Sequence, residues 1–244
     1  VNPSGKLTDT WPVNFDDNPS SAGFANEDKN NAQELYNDDI FVGYRYYDTF
    51  GKDVSYEFGY GGSYTTFAMQ TQSVTADKDK VTVKVKVKNT GSVSGKEVAE
   101  VYFSAPDGKL DKPYQELAGY AKTDELAPGE SQVLTITYDT TEMGSYDTDK
   151  AAYVMEDGDY IIRVGNSSRN THVAGKISVA EDTITEQYSN LMVPVKDNPN
   201  VADDEKYPTL EPMTTEGATP ITYDGEADEI AAASTIAVDF TGYK

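Results

Sequence analysis

The chain has 244 residues with 42 acidic and 20 basic side chains, a formal net charge of −22 that repels phosphate backbones and argues against nucleic-acid binding. It has no cysteine and one histidine, so neither a disulfide framework nor a thiolate or His-rich zinc site can be built, and stability must come from packing. No run of 18 or more apolar residues occurs, and the start at Val1-Asn2-Pro3 has no initiator methionine or signal-like region, which reads as a cut from something longer.

Residues 1–63 carry Pro3, Pro12 and Pro19 and a polar run from Asp16 to Asn31, with little periodicity before an aromatic stretch at Ile40. This is expected to be the end of one element plus a long excursion. Residues 64–180 read as a series of short strands. Val81, Val83, Val85 and Val87 alternate with Thr82, Lys84 and Lys86, which puts the valines on one face of a half-buried strand. Asn89-Thr90-Gly91 supplies a hairpin-like corner, and Val98, Val101 and Phe103 belong to the next run. Glu116–Lys122, Val133–Tyr138, Tyr160–Val164 and Lys176–Val179 follow, separated by Ala127-Pro128-Gly129-Glu130 and Asp157-Gly158. Short strands at regular spacing without amphipathic helices predict a mainly β fold, a β-sandwich rather than βαβ units.

Residues 181–244 hold fourteen acids against three lysines, half of the chain's net charge, together with five prolines. This acidic tail is expected to be extended or loosely wrapped over a neighbour, with a short strand only at Ile236–Phe240.

Three stretches together resemble the C-terminal part of bacterial glycoside hydrolase family 3 enzymes, the β-glucosidase family. The first is Asn2-Pro3-Ser4-Gly5-Lys6-Leu7 with Trp11-Pro12. The second is Ile40-Phe41-Val42-Gly43-Tyr44-Arg45-Tyr46-Tyr47-Asp48 leading into Phe58-Gly59-Tyr60-Gly61-Gly62-Ser63-Tyr64-Thr65-Thr66-Phe67. The third comprises Val87-Lys88-Asn89-Thr90-Gly91 with Gly95-Lys96-Glu97-Val98, then Pro113-Tyr114-Gln115-Glu116-Leu117 and Leu126-Ala127-Pro128-Gly129-Glu130-Ser131. The resemblance covers about Asn2 to Val179. It implies that 1–63 is the end of an α/β-sandwich domain, that 64–180 is a fibronectin type III-like sandwich, and that 181–244 is a tail or linker. Gly62 departs from the family, which carries a larger apolar residue there and so packs more firmly. Interleaved Phe58, Gly59, Tyr60, Gly61, Tyr64 and Phe67 suit a crossing in which backbone approaches a neighbour and aromatic rings fill the seam.

Retaining glycosidases need two carboxyl groups about 5–5.5 Å apart. In the resembled family the nucleophile is an aspartate in a Ser-Asp-Trp setting on an (α/β)8 barrel, and a Lys-His pair holds the sugar. Neither is present: the only tryptophan, Trp11, follows Asp9-Thr10, and the only histidine, His172, follows Thr171. No catalytic residue, cofactor or metal is therefore assigned.

The candidates for touching substrate at an active-site rim are Arg45, Tyr46 and Tyr47; the competing reading makes Arg45 a stacked or ion-paired residue that fixes a domain seam. Lys84, Lys86 and Lys88 read as a solvated face that discourages strand-edge pairing. Asp147, Asp149, Asp157 and Asp159 lack the Gly and Glu positions of an EF-hand loop and read as an acidic loop. His172 reads as a surface-strand residue.

The resemblance implies a non-catalytic scaffold whose partners are the catalytic domains of the same parent polypeptide, with oligosaccharide at the rim as a further partner and no membrane span. The alternative is an independent carbohydrate- or cell-surface-binding module. Sugar specificity and domain order, usual or permuted, lie outside this sequence, and its composition fits a secreted or a cytoplasmic protein.

Overall fold

The computed structural model describes residues 1–21, 36–191 and 212–240. In chain order the elements are β1 (Trp11–Pro12), α1 (Tyr44–Thr49), β2 (Val54–Tyr56), β3 (Phe67–Ala76), β4 (Lys80–Asn89), β5 (Val98–Ser104), β6 (Glu116–Lys122) and β7 (Ser131–Asp139). They continue with β8 (Ser145–Asp147), β9 (Ala152–Met155), β10 (Gly158–Gly165), β11 (Thr171–Val179), β12 (Thr183–Gln187), α2 (Glu226–Ala232) and β13 (Thr235–Val238).

Two layers enclose the core. One is a three-stranded sheet in the order β3-β4-β7, the other a five-stranded sheet in the order β13-β11-β10-β5-β6. Val81, Val83, Val85 and Val87 of β4 are fully buried, as the alternation requires, and meet Val101 and Phe103 of β5, Leu134 and Ile136 of β7, and Tyr160 and Ile162 of β10 in one cluster. The order is that of a sandwich, with all pairs inside the two layers antiparallel except β11 with β13.

Two expectations change in detail. Strand β4 is central in its sheet, so Lys84, Lys86 and Lys88 do not guard an edge; they lie on the wet face opposite Thr135, Val133 and Ser131, uncharged neighbours that place no like charge beside them. The corner at Asn89-Thr90-Gly91 is not a hairpin turn but a crossing from one layer to the other. Its organiser is the fully buried Asn89 side chain. Asn89 Oδ1 accepts from Thr65 Oγ1 at 2.8 Å and Gly91 N at 3.0 Å, while Nδ2 donates to the carbonyls of Val93 and Leu126, both at 2.8 Å. The second crossing, β6 to β7, turns at Pro128-Gly129, where Gly129 has φ +82° and Glu130 N donates to Ala127 O at 2.9 Å, the pattern of a type II turn.

The strand expected near Ile236 is β13. Helix α2, two small sheets (β1-β2 and β12-β9-β8) and helix α1 were not anticipated. The described part of the tail is not loosely wrapped, because Glu226, Val238 and Phe240 are buried against the sandwich. Residues 192–211 and 241–244 of the tail, and 22–31 of the N-terminal polar run, lie outside the described residues. At Gly62 no atom stands within 4 Å of where a Cβ would be, so open space surrounds this departure from the family.

Candidate functional site

The predicted site residues lie on α1, the first helix of a polar seam between residues 1–64 and the sandwich. Helix α1 is pinned by Tyr44, whose hydroxyl oxygen accepts from Leu117 N at 2.8 Å and whose ring packs on Phe58 and Tyr102 at 4.9 and 6.0 Å. One residue on, Arg45 Nη2 stands 3.1 Å from Glu116 Oε2. Tyr46 and Tyr47 turn elsewhere: their rings meet edge-on at 5.1 Å, Tyr46 stacks on Phe50 at 5.2 Å, and Tyr47 is buried. The three candidates thus share a helix but not a pocket.

The remaining seam is fastened by buried charges. Asp48 Oδ1 accepts from Arg169 Nε at 2.9 Å, and Arg169 Nη2 also reaches Lys52 O at 2.7 Å. Lys6 pairs with Glu97 at 2.9 Å and donates to Asn166 O at 3.0 Å. Tyr102 donates to Glu100 Oε2 at 2.7 Å. Gly59 explains why a glycine is needed here: at φ +81° a Cβ would lie 2.5 Å from Glu100 Oε2 and 2.8 Å from the Ser167 backbone. The close approach is made by this bare backbone, so Tyr60 and Tyr64 are not needed as filler and stay exposed; only Phe58 and Phe67 are partly buried. Tyr60 stacks on Tyr56 at 4.7 Å, which meets Trp11 at 6.2 Å, making an exposed aromatic strip.

Burial sets the electrostatics. It raises the carboxyls of Asp48, Glu100 and Glu116 above their ordinary values, and Arg169, Tyr102 and Arg45 offset it only in part. It also drives the Tyr102 hydroxyl far up, with Glu100 adding to the effect, so that proton stays on the phenol.

A second group lies where the tail returns. Arg163, whose side chain is 3% exposed, sits 2.5 Å from Glu226 Oε1, donates from Nε to Ser104 Oγ at 2.8 Å and lies 4.7 Å over the Tyr114 ring. Tyr114 donates to the same Glu226 oxygen at 2.6 Å. Nearby, the buried Glu156 receives Lys112 Nζ and the amides of Lys109 and Leu110. A cleft of about 520 Å3 opens between the loop after β5 and residues 215–220, with Ser104, Lys109, Tyr114, Arg163 and Thr215 on its walls. Sequence reading missed Arg163 and Glu226. The available signal was a lone arginine inside the apolar run Tyr160-Ile161-Ile162-Arg163-Val164, a cation that needs a counter-ion from elsewhere.

Among the described residues no three His, Asp or Glu side chains converge as a metal would require. Asp147 accepts from the amides of Asp149 and Lys150 at 3.0 and 3.1 Å, Asp159 lies 3.5 Å from Lys176 Nζ, and Asp157 N donates to Asp182 at 3.1 Å, an arrangement of turns and pairs. His172 is exposed on β11, 3.0 Å from Glu229.

The family model for a fibronectin type III-like domain matches residues 97–168. Over 241 residues the chain is 40% identical to β-glucosidase A of Butyrivibrio fibrisolvens, covering 88% of this chain and 29% of that protein. Among solved structures, a β-glucosidase from Paenibacillus barengoltzii is 45% identical with TM-score 0.73, covering 78% of this chain and 22% of that one. The GH3 β-glucosidase of Bifidobacterium adolescentis is 32% identical with TM-score 0.68, covering 79% and 28%. The chain therefore spans less than a third of the length of each of these relatives. It is a β-glucosidase-like portion, matching the C-terminal part of family 3 (GH3) glycoside hydrolases, with a fibronectin type III-like domain at its centre.

Proposed function

We propose that this chain is the non-catalytic scaffold of a larger β-glucosidase-like polypeptide that hydrolyses terminal β-glycosidic bonds in carbohydrate metabolism. In this reading residues 1–63 end an α/β-sandwich domain, 64–180 form the fibronectin type III-like sandwich and 181–244 are a tail or linker. The catalytic domains of the same polypeptide are its partners, and the exposed strip of Trp11, Tyr56 and Tyr60 is the face offered to them.

The observation that carries the reading is the use made of the buried carboxylates. Asp48, Glu97, Glu156 and Glu226 each face a cation inside this chain, and Glu100 faces a phenol. A glycosidase needs two carboxyls poised across an open sugar site, and these are committed to holding segments together. Arg45, Tyr46 and Tyr47 belong to the same fastening and set the position of the rim rather than contact sugar.

Incubating the purified chain with an aryl β-glucoside tests this. Release of the aryl alcohol at the buffer rate is expected, whereas release that scales with chain concentration overturns the assignment.

A further inference from the structure

We infer that the sandwich carries a built receptor for an acidic helix–strand segment, and that residues 212–240 of this chain are its occupant, held by Glu226 in the Arg163 socket.

The receptor walls all belong to the sandwich and its loops. Arg163 is set in β10, its Nε fixed on Ser104 and its guanidinium laid over Tyr114. Among the described residues the carboxylate that pairs with it is Glu226, delivered by the first turn of α2. A cation this deeply buried is strongly destabilising when its partner is removed, so the socket selects a carboxylate and rejects a neutral isostere.

Around this point the segment adds generic contacts. Strand β13 extends the sheet by lying parallel to β11, with Thr235, Ile236, Ala237 and Val238 opposite Lys176, Ile177, Ser178 and Val179. Lys176 N donates to Ser234 O at 2.9 Å. Glu229 accepts from Val173 N at 3.0 Å and from the Tyr223 hydroxyl at 2.5 Å. Further back, Ile221 N donates to Asp48 O at 2.8 Å and Met213 N to Asn37 O at 2.9 Å, so the segment straps α1 and its approach to the sandwich.

This is strand addition to a sheet edge, with main-chain bonds giving affinity and one charged pocket giving selectivity. The apolar share is small, chiefly Ile236, Val238 and Phe240. The partner this surface fits is therefore an acidic helical turn followed by a β-branched strand, in cis as found here or supplied in trans.

The test is amide hydrogen exchange on the full chain and its Glu226→Gln variant. Exchange at Val173 and Lys176 is expected to quicken at least about tenfold in the variant, with β4 amides unchanged. A synthetic peptide of residues 212–240 should restore protection saturably, and the same peptide with Gln at position 226 should not. Unchanged exchange in the variant, equal restoration by both peptides, or restoration by neither overturns the proposal. Should Glu226→Gln fail to fold, Ile236→Pro loosens β13 while leaving Arg163 its counter-ion. Faster exchange at Lys176, reversed by the Ile236-containing peptide, supports the receptor, and a lack of reversal overturns it.

Discussion

The three-stranded sheet around β4 and the seam around α1 are held by opposite physics. In the sheet, four fully buried valines face the second layer, and the polar groups on the same strand are exposed or half-buried except Asn89 at its end, whose side-chain hydrogen bonds are all satisfied inside the chain. Removing a side chain there subtracts packing, a loss graded by volume. In the seam and under the tail, polar and charged groups are buried in pairs: Asp48 with Arg169, Glu97 with Lys6, Glu156 with Lys112, Arg163 with Glu226. Removing one member there strands the other, a loss set by desolvation. The sheet makes the domain cohere, and the charged pairs specify how the flanking segments sit on it.

The largest expected effect breaks a buried pair. Lys112→Met leaves Glu156 without its cation in a site where both side chains are about 5% exposed, and should lower unfolding free energy by about 3–5 kcal/mol in urea titrations. Replacing both partners by apolar residues of similar volume should recover only part of that, because the amides of Lys109 and Leu110 then lose the acceptor that Glu156 provides. Next comes the core: Ile162→Ala, in a fully buried β10 side chain, should lower it by about 2–5 kcal/mol, with no apolar double variant able to rescue it.

How much of this was legible follows from the same contrast. Val81 to Val87 declared strand and buried face together because a period of two is written in adjacent residues. The layer crossings were only half legible: Asn89-Thr90-Gly91 and Pro128-Gly129 marked corners, but the role of Asn89 depends on Thr65, Val93 and Leu126, whose proximity no local pattern records. The seam was the least legible. Arg169 and Asp48 are paired across 121 positions, and nothing near Arg163 announces that a glutamate in the acidic tail will reach it. Helix α2 escaped notice because composition averaged over 181–244 hid Glu226, Asp228 and Glu229, three acids placed in the first turn where the helix dipole favours them.

A subtler separation uses pH. Burial alone would raise Glu156, but Lys112 and the amides of Lys109 and Leu110 outweigh it and hold the carboxyl below its ordinary 4.5. Below that value the unfolded chain binds the extra proton, so stability from Glu156 is complete above about pH 4.5 and lost as pH falls. Asp48, Glu100 and Glu116 are raised, so the folded state holds protons longer and their contribution declines as pH climbs above the ordinary carboxylate range. Urea midpoints followed across about pH 3–7 should therefore show Glu156→Gln flattening the acid limb and Asp48→Asn flattening the opposite one.

The smallest effect is expected at Arg45. Its pair with Glu116 is about a third exposed, so Arg45→Ala should change unfolding free energy by about 1 kcal/mol or less. The sheet should be untouched, with any change in amide exchange confined to α1 and β6.

The most direct test of the claim that this seam fastens rather than binds sugar is titration of the isotope-labelled chain with glucose and cellobiose, read at the Arg45, Tyr46, Tyr47 and Glu116 signals. The account predicts that these signals stay in place across the titration. Saturable movement at all four, with the rest of the spectrum fixed, would contradict it.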